Sequence, residues 1–539
     1  MNFYLLLIGI VIFICILANR YLEKTAVPSL VFFIFLGMCF GENGVFRIPF
    51  DDYVISEAIC SISLIFIMFY GGFGTSLKAA KPVIVRSAIL SSMGVILTAG
   101  ITGGFVYFVL HRPLLESLLI GAVISSTDAA TVFHILRSKK MALKYHTDSM
   151  LELESGSNDP ISYMMTTILV ALMTGESISI PVMFAKQIFL GVLVGIVAAK
   201  LAVYLLQHVS FHVEHEKTVL VFSVAIVSYA FAYQIGGNGY LSVYLCGILM
   251  GNASLTDKKY LVHFFDVITN AAQVTIFFLL GLLVTPKELP EVLIPAFGIM
   301  VFLTLIARPI SVFLLLKPFK APMKQIGVVS WAGLRGVASI VFSIYAVLQD
   351  APLKDNLFNL VFCIVIMSIL IQGTLLPSVC RRLDMLDQGA DIRKTFNDYQ
   401  EESDICFVKM HIEENHPWIN KQLKEIEISK ELLIVLVIRD EKTIVPDGMT
   451  KIQKGDLVVL AALEFEDREN IALKEIILTE NHRWIGQTLG EITLPPGCLV
   501  IMIKRDKDTI IPRGDTKMQE DDVLVVAKQP PVLETKSTA

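Results

Sequence analysis

Long runs of apolar residues recur through the first 380 residues and alternate with short polar segments. Most of these runs reach about 18 residues or more, the length that a helix needs to cross a bilayer. The pattern predicts thirteen spans, at approximately 3–19, 27–41, 54–76, 87–110, 115–135, 148–174, 182–207, 218–235, 239–253, 261–285, 291–316, 323–348 and 356–379. The first run lacks a basic leader, so we interpret it as a retained span and not as a signal peptide. We therefore expect a polytopic α-helical membrane protein.

Lysine and arginine are distributed unevenly between the loops that join these spans. One alternating set of loops carries seventeen of them and the other set carries four. Because cytoplasmic loops are the ones enriched in basic residues, the bias predicts an odd number of spans, with the N-terminus outside and the C-terminus in the cytoplasm of a cell-membrane protein. No basic block is large enough to indicate nucleic-acid binding, and the eight cysteines show neither a CxxC pair nor the spacing of a transition-metal site.

The region after Arg382 is polar and repeats itself. The stretch NHPWINKQLKEIEISKELLIVLVIRD, which begins at Asn415, aligns without a gap with NHRWIGQTLGEITLPPGCLVIMIKRD, which begins at Asn481, 66 residues later. Each copy predicts a short helix after its tryptophan, a β-rich run, a charged turn and a final strand. The expected organisation is a membrane domain over 1–380, a linker over 381–402, two small cytoplasmic α+β modules over 403–467 and 468–530, and a disordered tail over 531–539.

The duplicated pattern resembles the TrkA-C, or RCK-C, regulatory domain of potassium channels and cation transporters. The resemblance implies dimerisation and, in some members, binding of a cyclic dinucleotide such as cyclic di-AMP between domains. A pair of structural dimerisation modules without a ligand is the alternative. No glycine-rich dinucleotide fingerprint follows a strand in this region, and no other cofactor is expected.

Charged residues lie near the centres of three spans: SSTDAATVF in span five, ESGSNDP in span six and SWAGLRGVAS in span twelve. At a rise of about 1.5 Å per residue, Asp128, Asp159 and Arg335 each lie roughly 18–20 Å from one end of their span. That depth is near the middle of a hydrocarbon core about 30 Å thick, where charges persist when they are paired, hydrated or functional. We expect the three segments to meet. Lys200 and Arg308, also inside spans, are expected to snorkel or pair.

Spans five and twelve contain the small and polar residues of interrupted helices. They are seven positions apart in the order of spans, an odd number, so they run in opposite directions, as inverted repeats formed by spans one to six and eight to thirteen require. Within span six, Ser155 and Asp159 share one face, while Glu154 and Asn158 form the adjacent stripe. We expect Asp159 and Ser155 to face an ion pathway and Glu154 to pair with Arg335.

These motifs resemble those of the cation:proton antiporter superfamily, in its NhaP-type branch. ESGSND matches the Glu-Ser-x-x-Asn-Asp motif, SSTDAA is similar to the Thr-Asp-Pro interruption, with Ala129 in place of the usual proline, and GLRG is similar to the late arginine motif. The resemblance implies an NhaA/NhaP-like fold with thirteen helices, two of them broken and crossing, and a homodimer. It also implies that Asp159 binds the cation or proton with oxygens from Ser155 and Thr127, and that the supporting residues are Asn158, Asp128, Glu154 and Arg335.

The resulting hypothesis is a transporter, not an enzyme: a monovalent cation, K⁺ or Na⁺, and H⁺ compete for Asp159. A single titrating acid predicts electroneutral exchange. K⁺/H⁺ exchange, with a role in K⁺ efflux and in pH and volume homeostasis, is the first interpretation because RCK-C domains accompany potassium transport, and Na⁺/H⁺ exchange is the alternative. A ligand-gated cation channel would share the regulatory domains but needs a selectivity-filter loop of the TVGYG kind, which the sequence lacks.

Overall fold

The computed structural model describes residues 9–387 and 405–528, apart from gaps at 12, 16, 18–28, 43, 49, 51, 140, 177–178, 210–213, 256–257, 355, 415, 427, 429–431, 440–441, 464–471, 479–481, 493, 495–497, 506–507 and 511. The chain forms two compact units, Met1–Glu401 and Glu402–Ala539, which we call the membrane unit and the C-terminal unit. Residues 3–8 of the first predicted span, 388–402 of the predicted linker and the predicted tail at 531–539 lie outside the described residues.

The described part of the membrane unit is helical. Its main helices are α1 Ser29–Phe40, α2 Tyr53–Gly74, α3 Ile84–Val109, α4 Leu114–Val123, α5 Ala129–Ser138, α6 Thr147–Met173, α7 Ile180–His208, α8 Glu214–Gln234, α9 Gly239–Gly251, α10 Lys258–Leu283, α11 Leu289–Phe319, α12 Met323–Trp331, α13 Val337–Leu348 and α14 Leu357–Arg382. Among the described residues, seven helices are long and apolar enough to cross a membrane, and α1, α4, α9 and α13 are shorter apolar helices. The predicted polytopic helical fold is confirmed.

Two pairs of helices replace what would otherwise be continuous spans. Helix α4 ends at Val123 and α5 begins at Ala129, and α12 ends at Trp331 and α13 begins at Val337. These interruptions, at 124–128 and 332–336, fall where the sequence pattern places them. Helix α6 is continuous through Pro160. The interruptions expose backbone N–H and C=O groups inside the unit, which is tolerated in a membrane protein only where other groups satisfy them.

Close helix packing relies on glycine. A Cβ atom at Gly37 would lie 2.1 Å from the carbonyl oxygen of Phe278, and one at Gly247 would lie 2.3 Å from that of Phe69. Small residues let helix backbones approach each other in a membrane, where no hydrophobic force favours helix association. The backbones of α1 and α10, and those of α2 and α9, are therefore in direct contact.

Three of the long helices contain a short π-helical segment, at Leu90–Gly94 in α3, Leu303–Ala307 in α11 and Ser368–Gly373 in α14. A π turn accommodates an extra residue and changes the direction of the side chains that follow it. The segment in α11 ends immediately before Arg308.

The C-terminal unit contains two four-stranded antiparallel sheets of the same topology. The first has the order β1-β4-β2-β3 and the second β5-β8-β6-β7. Their strands are β1 Ile405–His411, β2 Leu432–Arg439, β3 Lys442–Ile444, β4 Leu457–Leu463, β5 Ala472–Ile477, β6 Cys498–Arg505, β7 Asp508–Ile510 and β8 Val523–Lys528. The register shifts between Ile434 and Leu436 in one sheet and between Val500 and Met502 in the other, again 66 residues apart. The helix predicted after the first tryptophan is only a single 3-10 turn, Leu423–Glu425.

An ion pair stabilises each repeat at the same position. The Asp456 side chain is fully buried and accepts hydrogen bonds of 2.8 Å from Nε and Nη2 of Arg439 and from the Gln453 backbone N–H. Burial alone would raise the pKa of Asp456, but these hydrogen bonds and the Arg439 charge outweigh it and hold the pKa below its usual range. Arg505 and Asp522 repeat the arrangement. In each repeat the Arg-Asp ion pair therefore joins the end of one strand, β2 or β6, to the loop before another, β4 or β8.

Candidate functional site

The two helix interruptions are in contact. The backbone N–H of Asp128 donates to the carbonyl oxygen of Leu334 at 2.8 Å. A Cβ atom at Gly336 would lie 2.4 Å from the Asp128 Cβ and 2.6 Å from its Oδ2. Only glycine fits at this position, so the Asp128 carboxylate lies directly against the residue that precedes α13.

Asp128 lies at the start of two helices. Its carboxylate accepts hydrogen bonds from the backbone N–H and the Oγ1 of Thr131, at 3.3 and 2.5 Å, and so caps α5. Through Gly336 it also faces the start of α13. Because helix N-termini carry partial positive charge, a carboxylate between two of them is electrostatically favourable. This is the arrangement expected of an acid that neutralises crossing half-helices.

Arg335 lies against the C-terminal end of α4, where it compensates the partial negative charge of the helix. Its side chain is buried, and Nη1 donates to the carbonyl oxygens of Ser125 and Ser126, both at 2.8 Å. These carbonyls follow the C-terminus of α4, where the backbone has no further helical N–H partners and carries partial negative charge. The backbone N–H of Arg335 in turn donates to the Ser368 hydroxyl at 3.0 Å.

The predicted ion pair between Glu154 and Arg335 is wrong. Glu154 instead pairs with Arg308 of α11, and both side chains are almost completely buried. The physical reason is that the Arg335 guanidinium is directed toward the carbonyls after α4. The Arg308 side chain contacts the second interruption, at 332–336, since a Cβ at Gly333 would be 3.0 Å from its Nε.

Hydrogen bonds join α6 to the first interruption. The Ser126 hydroxyl donates to the Asp159 carboxylate, the Ser155 hydroxyl donates to the Thr127 carbonyl oxygen at 2.5 Å, and the Asn158 amide donates to Thr127 Oγ1 at 2.5 Å. The structure thus brings these predicted site residues together. Sequence reasoning missed Ser126, although it lies beside Thr127 in the polar segment SSTD.

A cavity of about 110 Å³ opens beside these groups. The polar residues that line it include Thr127, Asp128, Glu152, Ser155, Asp159 and Tyr244. Because a water molecule needs roughly 10–15 Å³ of such space, the cavity can hold several waters or a partly hydrated ion. Glu154, Asn158 and Arg335 do not line it, so the two stripes of α6 face different surroundings.

The oxygen atoms around Asp159 suit a hard cation. Carboxylate, hydroxyl and carbonyl oxygens are the ligands that such ions prefer, and a carboxylate can alternatively take a proton. Across the described ranges, no group of three or more His, Cys, Asp or Glu side chains has the arrangement of a metal-binding cluster.

Family comparisons agree with this geometry. The model of the family "Sodium/hydrogen exchanger, transmembrane" matches residues 9–382, and that of the TrkA-C domain matches residues 408–464 and 473–535. The chain belongs to the sodium/hydrogen exchanger family. Its members are transporters, so this exchanger is a multi-pass membrane transporter and not an enzyme.

Individual relatives cover most of the exchanger. It is 34% identical over 445 residues to the K(+)/H(+) antiporter NhaP of Alkalimonas amylolytica, covering 81% of this chain and 77% of the relative. It is 30% identical over 471 residues to the K(+)/H(+) antiporter NhaP2 of Shewanella oneidensis, covering 86% and 82%. The solved structure of the sodium proton antiporter MjNhaP1 from Methanocaldococcus jannaschii aligns with a TM-score of 0.63 at 23% identity, over 70% of this chain and 97% of that one. This last likeness confirms the fold.

The exchanger's last described residues before the C-terminal unit are bonded to the helices of the site. Residues 383–387, the exit segment, form an antiparallel bridge in which Leu386 pairs with Leu143. The Asp384 carboxylate accepts hydrogen bonds from Nζ of Lys144 at 3.1 Å and of Lys324 at 3.2 Å. The two lysines lie just before α6 and in the first turn of α12, and they hold the pKa of Asp384 below its usual range. The exit segment therefore contacts residues that immediately precede α6 and the first turn of α12, one of the interrupted helices.

Proposed function

We propose that the protein is a K⁺/H⁺ antiporter that exchanges the two ions at Asp159. The observation that carries the proposal is the position of this carboxylate, which lines a cavity large enough for several waters at the crossing of two interrupted helices. The relatives named K(+)/H(+) antiporter, each matched over more than four fifths of this chain, support potassium as the cation.

Exchange follows from competition for one carboxylate. An ionised Asp159 can hold a cation with the help of the Ser155 hydroxyl and the Thr127 carbonyl, or it can hold a proton. Holding both would leave a positive charge near the middle of the membrane, which is costly. Alternating access of the cavity to the two sides then moves one ion in each direction, and the exchange is electroneutral.

We propose the thirteen-span topology, with inverted repeats and the N-terminus outside, for the membrane unit. The interruptions at 124–128 and 332–336 belong to spans five and twelve of that topology. The π segments at Leu90–Gly94 and Leu303–Ala307 belong to spans four and eleven, which are also seven spans apart. Two irregularities that recur at the same separation support two copies of one inverted unit.

We further propose that the cytoplasmic repeats, at 403–467 and 468–530 between a linker at 381–402 and a tail at 531–539, dimerise the protein and regulate exchange. A cyclic dinucleotide such as cyclic di-AMP is the proposed ligand. The TrkA-C matches and the bonded exit segment support this role, because the segment precedes the repeats in the chain and Asp384 within it is bonded to Lys144, just before α6, and to Lys324 of α12.

Sodium is the second candidate cation. A relative named Na(+)/H(+) antiporter 1, from Methanocaldococcus jannaschii, is 27% identical over 351 residues, covering 62% of this chain and 82% of the relative. It matches less of this chain than the potassium antiporters do, and the exchanger domain is common to both. We therefore retain Na⁺/H⁺ exchange as the alternative.

Cation-induced proton movement in everted membrane vesicles tests the proposal. We expect K⁺ to dissipate a preformed proton gradient more effectively than Na⁺ or Li⁺, and Asp159→Ala to abolish the response. Asp266→Asn is the matched control, since it neutralises a carboxylate of α10 that hydrogen-bonds to Tyr70 outside the cavity lining. Normal exchange by Asp159→Ala at wild-type expression would overturn the assignment, and a preference for Na⁺ would favour the alternative.

A further inference from the structure

We infer that Glu152 and Tyr244 form a second cation subsite in the Asp159 cavity, on its cytoplasmic side. This inference rests on the proposed exchange of cations at Asp159. In it, an entering cation first binds near Glu152 and then moves to Asp159, so the same ion occupies the two positions in turn and the stoichiometry is unchanged.

The two carboxylates lie on one face of α6. Glu152 precedes Asp159 by seven residues, which is two turns or about 10 Å along the helix axis. Gly156 lies between them on the same face, and all three residues line the cavity. Glu152 is nearer the N-terminus of α6, the end that the proposed topology places toward the cytoplasm.

Tyr244 of α9 occupies the space between the carboxylates. A Cβ atom at Gly156 would lie 2.4 Å from its Cε2 and 2.6 Å from its hydroxyl oxygen, so the phenol lies directly against Gly156. The residue is 3% exposed, and its hydroxyl makes no hydrogen bond of ordinary geometry with the described residues, although the side chains of Ser157 and Thr75 lie nearby. A buried hydroxyl is normally satisfied, and this one faces a cavity.

The available atoms suit a partly hydrated monovalent cation. A carboxylate from α6 and a phenolic oxygen from α9 are joined in the cavity lining by the amide of Gln273 from α10. Hard cations prefer oxygen ligands, and three helices that contribute few ligands leave room for retained water. The Glu152 charge would also attract a cation toward Asp159, and at a separation of about 10 Å and an effective dielectric of about 20 this attraction changes cation affinity about tenfold.

Transport kinetics in everted vesicles, where the cytoplasmic face is outward, test the subsite. We expect Glu152→Gln to raise the half-saturating K⁺ concentration about tenfold with little change in maximal rate, because the lost charge acts on cation binding. Glu152→Asp should stay near wild type, and Tyr244→Phe should give a smaller rise. Glu57→Gln, which changes a carboxylate of α2 outside the cavity lining, is the control. A lower maximal rate at unchanged half-saturation, for Glu152→Gln, would indicate a structural role and overturn the subsite.

Direct binding separates this inference from the proposed function. Purified full-length Asp159→Asn is titrated with KCl or thallium acetate against choline chloride in a calorimeter. We expect residual cation binding that disappears in the Asp159→Asn, Glu152→Gln double variant. Absence of residual binding in the folded single variant would overturn the subsite while leaving Asp159 as the exchange site. Continued exchange by Asp159→Asn would instead overturn the proposed function.

Discussion

A double-mutant cycle can measure the ion pair between Glu154 and Arg308. Both side chains are almost completely buried, and no described group accepts from the Arg308 Nε. Arg308→Gln would leave the Glu154 carboxylate without its guanidinium partner in a low-dielectric interior. Removing one member of a buried pair costs about 3–5 kcal/mol of unfolding free energy. Glu154→Gln should cost a similar amount for the converse reason.

The double variant should lose less stability than the two single variants added together, because it removes the unpaired charge. We expect a coupling free energy of about 2–3 kcal/mol between the two positions, within the range for residues in direct contact. Unfolding in mixed micelles by added SDS can be followed through Trp331 of α12. Replacing Trp418 and Trp484 by phenylalanine makes this the single tryptophan of the chain.

A matched cycle at Arg335 decides between the two pairings. The Arg335 guanidinium donates to backbone carbonyls, so Arg335→Gln should destabilise the protein whether or not Glu154 is present. Coupling between Glu154 and Arg335 should therefore be clearly weaker than that between Glu154 and Arg308. The reasoning would be refuted if the stability losses of the Glu154 and Arg308 variants were simply additive and Glu154 were instead strongly coupled to Arg335.

Three further predictions concern the crossing, the exit segment and the repeats. Gly336→Ala should reduce exchange at least about tenfold in vesicles, since its Cβ would meet Asp128 and displace the half-helices; Gly298→Ala, whose Cβ meets nothing within 4 Å, should leave exchange unchanged. Asp384→Asn should leave thermal unfolding unchanged. Deleting residues 405–539 should change exchange less in the Asp384→Asn variant than in the wild type, and an equal change in both would argue against coupling through the exit segment. Arg439→Ala should destabilise the first repeat by about 2–3 kcal/mol, judged by Trp418 fluorescence, because Asp456 loses its partner. Since the folded pKa of Asp456 is lowered, this contribution is complete above about pH 4 and disappears as pH falls through the folded pKa, so variant and wild type should converge in acid.

The sequence predicts which residues are unusual better than it predicts which of them touch. A carboxylate in an apolar span is conspicuous because a charge in the bilayer core is costly in free energy. Small residues around Asp128 and Arg335 indicate where the helices are interrupted. Which side chains form ion pairs depends on the direction in which each one points around its helix axis. The π segment before Arg308 shifts that direction by an extra residue, and the hydropathy pattern contains no sign of it. Charge and depth alone therefore could not distinguish Arg308 from Arg335 as the partner of Glu154.

Neutral side chains of the site were harder to predict for a similar reason. Ser126 and Tyr244 belong to residue types that are common in membrane helices, and neither carries a charge that would demand an explanation. What distinguishes them is their position: Ser126 donates a hydrogen bond to Asp159, and Tyr244 lies against Gly156. By contrast, the 66-residue repeat predicted equivalent modules because the same local pattern folds in the same way, down to the register shift in each sheet.

The charges at the crossing give an independent argument for electroneutral exchange. Asp128 is directed at helix N-termini, Arg335 at the carbonyls after α4, and Glu154 and Arg308 at each other. Asp159 differs because its described hydrogen-bond partner is the neutral Ser126 hydroxyl and it faces the cavity. When all five groups are ionised, three negative and two positive charges leave a net charge of −1. One K⁺ or one H⁺ neutralises the Asp159 charge, so the two loaded forms of the site carry the same charge, also when Glu152 of the same cavity is ionised, and a complete exchange cycle moves no net charge through the membrane.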